Sequence, residues 1–521
     1  MSRAALFALA AASAAASAPA PPLRGPPQLR GVQGMDDQTV VLALQSLGAG
    51  GAEALTERYA ALARELQPGL RRYNAFWSAA EGRVPPSITP LECPSGSELV
   101  PQNEAERLRL GYAHFHCYDS NFLAGFDDAF ARDASVGASS ALIVYGSPDW
   151  AIDSNCTGFP WPPNPNYRSG CIPWGFFSDW QDYILMLTSR WSAPWGSGQA
   201  RLSHLCIWNE VQSQGWSDPS PVLPNRYSGQ PYSPAQLAQY AGAIGSLMLG
   251  AGRGAALGTP PGGVPPFLWL STDHFNLAPP LKVGDVMHVG LWELLDALWP
   301  IVNVTYAWGI CVLPYDAGDP RQNLTAQGVY TFVTLRESVA AYQCGKLVQY
   351  AGATLESCWE WPQVQMWASE QGWPLSKTMN RTLQARNICL AHGLSVAQGV
   401  YAVSHNFFQS NVPTSQGGGG DYSLVDEPPV VYMNLTNAPG HETYDAYAST
   451  APGVFGVTSD HYCCTRWGAG CVPGEARGGG GGAVLAAAAA DAARELEGAR
   501  APVLARWALG AVNGAQAAPG A

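Results

Sequence analysis

The stretch "SHLCIWNE" at residues 203–210 is an apolar run that stops abruptly at two polar residues. A short apolar run of this kind predicts a buried β-strand, and the polar residues directly after it mark where the strand ends. Further runs rich in β-branched and aromatic residues recur along the chain. Eight strands are therefore predicted, at 71–77, 111–117, 140–146, 203–208, 266–271, 302–308, 363–369 and 399–405.

Helical patterns occupy several of the gaps between these strands, at 180–191, 233–249, 291–299, 327–343 and 377–395. Strands separated by helices imply a parallel sheet, and eight such units that close on themselves form an α/β (β/α)8 TIM barrel. An open doubly wound sheet is the alternative. No G-x-G-x-x-G follows the first predicted strand to favour that alternative.

The amino-acid composition indicates which kinds of molecule the protein can bind. Hydrophobic residues make up 47% of the 521 residues and charged residues only 13%, and the chain has 19 Trp and 21 Tyr. The formal net charge of −12 argues against binding nucleic acid or an anionic membrane through bulk electrostatics. A neutral partner fits better. After the N-terminus no uninterrupted apolar run of about 18 residues occurs, so no membrane span is predicted.

The N-terminal sequence has the layout of a secretory signal peptide, with an early Arg, an Ala/Leu-rich stretch and small residues near residue 20. The 12 Cys include no C-x-x-C pair and no Cys/His group at zinc-site spacing, which favours disulfides over a metal site. N-glycosylation sequons agree with a secreted or secretory-pathway protein, and they lie at Asn155, Asn303, Asn323, Asn380 and Asn434.

The chain is divided by composition into a central barrel and flanking segments. Residues 22–35 are rich in Pro and Gly, and the C-terminal end is a Gly run followed by an Ala-rich stretch. The predicted divisions are a signal peptide at 1–20, a linker and N-terminal helix at 21–60, the barrel at 61–415, a Cys-containing extension at 416–477 and a low-complexity tail at 478–521. Within the barrel, a long loop follows the third predicted strand, and Cys156 and Cys171 are expected to bridge it.

Two carboxylates follow predicted strands on one face of the barrel. Glu210 ends the fourth strand, and Glu370, in "MWASEQGWP", ends the seventh. Strands four and seven lie nearly opposite each other in an eight-stranded barrel, and the carboxyl ends of its strands form the active face. Glycoside hydrolysis requires two carboxyl groups that flank the scissile bond. Glu360 is a competitor of Glu370, but it precedes its strand and so falls at the opposite end of the barrel.

The Asn-Glu pair after the fourth strand and the Glu-x-Gly-Trp-Pro after the seventh resemble the two signatures of clan A, the 4/7 superfamily of retaining (β/α)8 glycoside hydrolases. The segments "YNAFWS", "WNE" and "SEQGW" also resemble a less characterised group of secreted barrels in that superfamily. The resemblance covers roughly residues 65–415.

The resemblance implies a role for each residue of these motifs. Glu210 would be the general acid/base, Glu370 the nucleophile, and Asn209 a hydrogen-bond partner of the sugar hydroxyl next to the reacting carbon. Tyr306 is the candidate for the tyrosine that holds the nucleophile, although Ala307 and Trp308 depart from the usual His-x-Tyr pattern. No cofactor and no metal is expected, because two carboxylates suffice for the reaction.

Aromatic and polar residues near the predicted strand ends are further candidates for binding a carbohydrate. Tryptophans in the loops of the active face can stack on sugar rings, whereas others pack in the core. Histidines on or after the strands either line the sugar pocket or are structural. The predicted substrate-binding set is Asn209, Tyr306, Trp150, His274, Trp216, Trp373, His116 and Asn74.

Three functions are compatible with these residues. The first is a secreted glycosidase that cleaves a poly- or oligosaccharide with retention through a covalent glycosyl-enzyme. The second is a transglycosylase that passes the glycosyl unit from the same site to another sugar. The third is a carbohydrate-binding barrel without turnover, which the presence of both carboxylates disfavours. The sugar and the linkage are not defined by the sequence, because a fold does not name a substrate.

Overall fold

The computed structural model describes residues 32–36, 70–81, 84–156, 170–194, 197–212, 233–273, 281–283, 286–302, 308–313, 339, 342–349, 354, 357, 365–371, 387 and 402–405. For residues 32–36, 273, 281–283, 286–288, 308, 370–371 and 402–405 the description covers the backbone alone. The predicted signal peptide at 1–20, the extension at 416–477 and the tail at 478–521 lie outside the described residues.

A closed barrel of parallel strands forms the centre of the fold. Its strands, in chain order around the barrel, are β1 (Val32–Asp36), β2 (Leu70–Phe76), β5 (Ser139–Tyr145), β6 (Leu202–Ile207), β7 (Phe267–Asp273), β10 (Trp308–Leu313), β11 (Met366–Gln371) and β12 (Ala402–His405). Strand β12 pairs with β1, and β1 pairs with β2, which completes the ring. The predicted (β/α)8 barrel is confirmed.

The remaining described elements lie outside the barrel wall. Two antiparallel pairs are formed by β3 (Ser97–Val100) with β4 (His116–Asp119) and by β8 (Leu281–Val283) with β9 (Val286–His288). The helices are α1 (Trp77–Ala80), α2 (Glu104–Leu110), α3 (Ser120–Ser135), α4 (Phe177–Arg190), α5 (Pro234–Gly258) and α6 (Leu291–Leu298), and residues 342–349 are also helical.

Helices α4 and α5 pack closely because glycines line their contact. Helix α5 begins with a capping box, in which Ser233 and Gln236 satisfy each other's backbone amides. Further along the helix, a Cβ at Gly254 would lie 2.5 Å from the carbonyl oxygen of Gln181, and one at Gly258 would lie 2.7 Å from the Cβ of Thr188. Glycine is therefore required where the two backbones approach.

Large side chains fill the interior of the barrel. The ring of His204, on β6, stacks on that of Trp269, on β7, with 6.1 Å between centroids. The Trp269 ring in turn contacts Trp367, on β11, at 5.7 Å. A Cβ at Gly309 would lie 2.3 Å from the Trp269 ring, so glycine makes room for the indole. Burial and, secondarily, the charge of Arg201 lower the pKa of His204 to about 3, and this central imidazole is neutral.

Disulfides fasten the barrel and its loops. Cys156 is bonded to Cys171, which confirms the predicted bridge in the loop after the third barrel strand. Cys93 is bonded to Cys117 beside the β3–β4 pair, and Cys206 on β6 is bonded to Cys311 on β10, across β7. Asn155, the one predicted sequon asparagine within the described residues, is exposed in a turn next to the first of these bridges.

The first barrel strand corrects one sequence prediction. Strand β1 lies in the segment 21–60 that was predicted to be a linker and a helix, so the barrel begins at Val32 and not at residue 61. Its sequence "VQGMD" has two apolar residues and a central glycine, and Pro/Gly-rich sequence precedes it. A strand this short and polar carries almost no periodic signal, because its place is set by pairing with β12 and β2.

The predicted strand at 111–117 is also wrong. Only His116–Asp119 is a strand there, and it pairs antiparallel with β3 outside the barrel. One missed strand and one surplus strand offset each other, so β6 and β11 are still the fourth and seventh strands of the barrel. The predicted sixth strand at 302–308 is observed further along the chain, as β10 at Trp308–Leu313.

Within the described residues, no helix combines the length and the apolar character needed to cross a membrane. The same part of the chain holds no group of three or more His, Cys, Asp or Glu side chains arranged to bind a metal ion.

Candidate active site

The turn that follows β6 has a strained backbone. Trp208 has a φ of 62° and Glu210 a φ of 40°, both in the left-handed region that side chains other than glycine rarely adopt. Such conformations cost about 1–3 kcal/mol each and persist only where the surrounding structure determines them. Because strained residues of this kind cluster at functional sites, the turn is a candidate site independently of its sequence motif.

Hydrogen bonds from two neighbouring strands hold this turn. The amide of Trp208 donates to the carbonyl of Val144 on β5 at 2.8 Å. On the other side, the amide of Glu210 donates to the Ser271 hydroxyl on β7 at 3.1 Å, and the amide of Val211 donates to the Ser271 carbonyl at 3.2 Å. The turn is thus bonded to the strand on each side of β6.

Helix α5 and the segment before α6 make further contacts with the end of the turn. The hydroxyl of Tyr240, on α5, donates to the carbonyl of Val211. The amide of Val289 donates to the carbonyl of Gln212 at 2.9 Å, and the Gln212 side-chain amide donates back to the Val289 carbonyl at 3.2 Å. Backbone groups on both sides of Glu210 are therefore satisfied by ordered partners.

Burial differs sharply between the three residues of the "WNE" motif. Trp208 is fully buried and packs edge-on against Trp180, with 5.6 Å between ring centroids. Asn209 is buried at 5% exposure, whereas Glu210 is half-buried. The tryptophan anchors the turn in the helix layer, and the carboxylate is the most exposed member of the motif.

Glu370 lies near the carboxyl end of β11, the seventh barrel strand, as the sequence predicted. The register of β11 against β12 shifts there: Ala368 pairs with Val403 and Gln371 with His405, so three steps on β11 match two on β12. This is the pattern of a β-bulge, in which one extra residue on one strand interrupts the regular pairing. Ser369, next to Glu370, donates its hydroxyl to the Val312 carbonyl at 3.3 Å.

Trp150 lies on the active face, in a short 3-10 turn after β5. It is half-buried, and its indole nitrogen donates to the carbonyl of Glu81 at 3.2 Å. Its ring packs edge-on against Trp77 at 5.4 Å and Phe176 at 5.5 Å between centroids. The indole is therefore held in one orientation with part of its surface accessible.

Asn74 faces the barrel interior near the carboxyl end of β2. On the same strand Arg71 and Tyr73 point outward, because both bind the Asp133 carboxylate of α3, at 2.9 Å each. Alternation then places Arg72 and Asn74 on the inner face. The guanidinium of Arg72 donates to the Asn74 side-chain oxygen at 3.2 Å, and Asn74 is half-buried. Asn74 is thus placed on the inner face of the barrel, and its role in binding a sugar stays a prediction.

His116 does not line the barrel, which corrects the prediction that it binds the sugar. It belongs to the antiparallel strand β4 and is fully buried. Its Nδ1 lies 2.7 Å from the Glu81 carboxylate and its Nε2 lies 3.1 Å from that of Asp182, so both ring nitrogens are engaged by protein groups. The error follows from the placement of residues 111–117 in the barrel wall.

The other predicted binding residues, Tyr306, His274, Trp216 and Trp373, lie outside the described residues, as does the side chain of Glu370. Their roles stay predictions. Sequence reasoning missed Ser271, Tyr240 and Arg72. A signal for Ser271 was present, because it ends the apolar run "PFLWLS" just as Asn209 and Glu210 end theirs. Nothing in the sequence marks Tyr240, which reaches the turn from a helix.

A closed parallel barrel with polar side chains at the carboxyl ends of its strands defines an α/β protein of the (β/α)8 class. No protein-family model matches this chain, and no curated protein sequence matches it.

Similar solved structures are glycoside hydrolases. A family 39 glycoside hydrolase from the gut symbiont Bacteroides cellulosilyticus WH2 has 12% identity and a TM-score of 0.44, over 81% of this chain and 64% of that one, slightly less than two thirds of its length. A GH39 β-xylosidase from Caulobacter crescentus has 12% identity and a TM-score of 0.45, over 82% and 73% of the two chains. A GH5-4 broad-specificity endoglucanase from Clostridium acetobutylicum has 10% identity and a TM-score of 0.38, over 81% and 96%.

Proposed function

We propose that this protein is a retaining glycoside hydrolase in which Glu210 is the general acid/base and Glu370 the nucleophile. The observation that carries the proposal is the strained turn at the end of the fourth strand. It holds Glu210 half-buried on the active face, while Glu370 lies near the end of the seventh strand of the same barrel. Left-handed backbone at residues other than glycine clusters at functional sites, which supports a role for this carboxylate.

The reaction follows from two carboxyl groups about 5–5.5 Å apart on opposite sides of the glycosidic bond. Glu210 donates its proton to the glycosidic oxygen while the Glu370 carboxylate attacks the anomeric carbon, and the bond to the leaving group breaks. Glu210, now ionised, then takes a proton from water. The water oxygen attacks the same carbon, releases Glu370 and forms a product with the original anomeric configuration.

The substrate proposed for this site is a neutral poly- or oligosaccharide. Asn209 is placed beside the acid for a hydrogen bond to the sugar hydroxyl next to the reacting carbon, and Asn74 and Trp150 offer a polar and an aromatic surface at neighbouring strand ends. Tyr306, His274, Trp216 and Trp373 complete the proposed set. No cofactor takes part in the reaction as proposed.

Secretion is part of the proposal, with residues 1–20 as the signal peptide. The three disulfides in the described residues are compatible with an oxidising, extracellular environment. The exposed Asn155 sequon is compatible with N-glycosylation on the secretory route.

The test uses a panel of 2,4-dinitrophenyl glycosides of xylose, glucose, mannose and galactose in both anomeric forms. On a substrate that the wild type hydrolyses, Glu370→Ala is expected to be inactive in buffer. With added azide it should form a glycosyl azide of inverted configuration, because azide attacks in place of the missing carboxylate. The anomeric configuration is read by NMR.

Glu210→Ala is the companion variant. Azide is expected to give it a glycosyl azide of retained configuration, because the glycosyl-enzyme on Glu370 still forms and azide then replaces water. If Glu370→Ala keeps the wild-type rate, if Glu210→Ala keeps the wild-type kcat, or if the two azide products have the reverse configurations, the assigned roles are wrong.

A further inference from the structure

Ser271 makes an unusual pair of contacts with the turn that carries Glu210. It is fully buried near the carboxyl end of β7. Its hydroxyl accepts the amide of Glu210 at 3.1 Å, and its carbonyl accepts the amide of Val211 at 3.2 Å. These amides belong to the two peptide groups that flank the Glu210 Cα. One residue therefore contacts both of the peptide groups whose orientations define the backbone torsions of the candidate acid.

The two contacts differ in what they require of residue 271. Any amino acid would supply the carbonyl that accepts from Val211, but only a side chain with an acceptor near its Cβ can receive the Glu210 amide. A small side chain is also needed there. Trp269 and Ser271 are two residues apart on β7, so both face the barrel interior, and the indole of Trp269 already fills the space next to Ser271. Serine meets both conditions.

The hydroxyl acts where the backbone is strained. With a φ of 40°, Glu210 would relax to a common conformation if its amide were released, and its Cα–Cβ bond would then point elsewhere. A carboxyl group displaced by about 1 Å from the glycosidic oxygen is a poor proton donor, since proton transfer requires hydrogen-bond reach.

We propose that Ser271 is a positioning residue for the proton donor: its hydroxyl holds the left-handed conformation that directs the Glu210 carboxyl group to the glycosidic oxygen. The proposal rests on the proposed function, because it presumes that Glu210 is the acid. Ser271 touches no reacting atom and acts only through Glu210.

The way in which kcat/KM depends on the leaving group distinguishes a positioning role of Ser271 from a merely structural role. A 2,4-dinitrophenolate leaves without a proton, whereas a phenolate needs one. A misplaced acid therefore lowers kcat/KM, which reports the step that forms the glycosyl-enzyme, only for the phenyl glycoside. For Ser271→Ala we expect kcat/KM on the phenyl glycoside to fall by roughly tenfold or more, up to the factor of about 10²–10⁴ that general acid catalysis contributes. On the 2,4-dinitrophenyl glycoside of the same sugar it should stay within about threefold of wild type, since the nucleophile is untouched.

Thr272→Val is the matched control. Thr272 is the next residue on β7, is also fully buried, and donates its hydroxyl to the Cys311 carbonyl at 3.3 Å, away from the turn. The variant loses one buried hydrogen bond and keeps the side-chain shape. It is expected to show equal effects on the two glycosides. Ser271→Cys, whose sulfur is a weak acceptor, replaces Ser271→Ala if the alanine variant does not fold.

Glu210→Ala distinguishes failure of this inference from failure of the proposed function. If Glu210→Ala shows the leaving-group dependence and the Ser271 variants do not, Ser271 is not a positioning residue and the assignment of the acid stands. If Glu210→Ala lowers kcat/KM equally on both glycosides, the acid itself is misassigned and the inference is wrong as well.

Discussion

At the scale of single residues, His116 is a buried cation between two carboxylates. Burial by itself lowers the pKa of an imidazole, but Glu81 and Asp182 outweigh that effect and raise the pKa of His116 to about 10. Glu81 also accepts the indole N–H of Trp77 at 3.0 Å, and Asp182 accepts the amides of Ala113 and His114. The imidazolium thus joins the segment after β2, strand β4 and helix α4.

Removal of this cation is expected to destabilise the protein strongly. His116→Gln leaves the Glu81 and Asp182 carboxylates buried without a countercharge, and loss of one partner of a buried ion pair costs about 3–5 kcal/mol. The free energy of unfolding, from urea denaturation at pH 6, checks the prediction. A loss below about 1 kcal/mol would mean that the cluster is not charged as described.

The same residue predicts a pH dependence of stability. The pKa of His116 in the folded state, about 10, is above its unfolded value of roughly 6.5, so the folded protein binds the proton more tightly. The stabilisation is fully present below pH 6.5 and is lost as the pH rises to 10. The difference in unfolding free energy between wild type and His116→Gln should therefore shrink from pH 6 to pH 10. A difference independent of pH contradicts this assignment.

Some site residues could be predicted from the sequence and others could not. Glu210 and Glu370 follow apolar runs in local motifs, so their positions at strand ends were predictable from short windows of sequence. The partners of His116 come from residues 35 and 66 positions away, and Ser271 is 61 residues from Glu210. Those contacts exist only once the barrel is closed.

At the scale of elements, the strands of the barrel differ in how well their local sequence predicts them. Strands β5 and β6 are buried along almost their whole length and read as apolar runs. Strand β1 and the antiparallel β4 each mix polar with apolar residues in a short segment, and the pairing of β4 with β3 is set by tertiary structure. Local sequence therefore predicts the central strands better than the one that closes the ring.

The contact between α4 and α5 predicts opposite effects for two glycines in one helix. Gly254→Ala would bring a Cβ to 2.5 Å from the Gln181 carbonyl, and overpacking of this kind costs about 1–3 kcal/mol. In Gly242→Ala the new Cβ meets no atom within 4 Å. This variant is expected to be more stable than the wild type by up to about 1 kcal/mol, because alanine has the higher helix propensity. Urea denaturation midpoints compare the two variants, and a shift of the same sign in both refutes the close approach of the helices.

At the scale of the whole molecule, disulfides close chain segments of very different length. The Cys206–Cys311 bond spans 105 residues and joins two strands of the barrel, whereas Cys93–Cys117 spans 24 and joins a loop to the β3–β4 pair. The stabilisation expected from a cross-link grows with the logarithm of the loop it closes. The longer bond therefore constrains the unfolded chain more.

Replacement of each cysteine pair by alanine tests this difference. Removal of a native disulfide usually lowers the free energy of unfolding by about 2–5 kcal/mol. From loop entropy alone, loss of Cys206–Cys311 should lower it by about 1 kcal/mol more than loss of Cys93–Cys117. Both Cys206 and Cys311 are also fully buried, so a cavity adds to the cost. Free energies of unfolding measured without reductant give the comparison, and an equal or smaller loss for the longer bond would contradict it.

The bonds to the Glu210 turn fasten the proposed proton donor to the barrel wall. The amide of Glu210 is held from β7, and the amide of Trp208 is held from β5. Buried strands are among the last parts of a fold to open locally. In native-state hydrogen exchange, the Glu210 amide is therefore expected to exchange as slowly as the amides of the barrel strands.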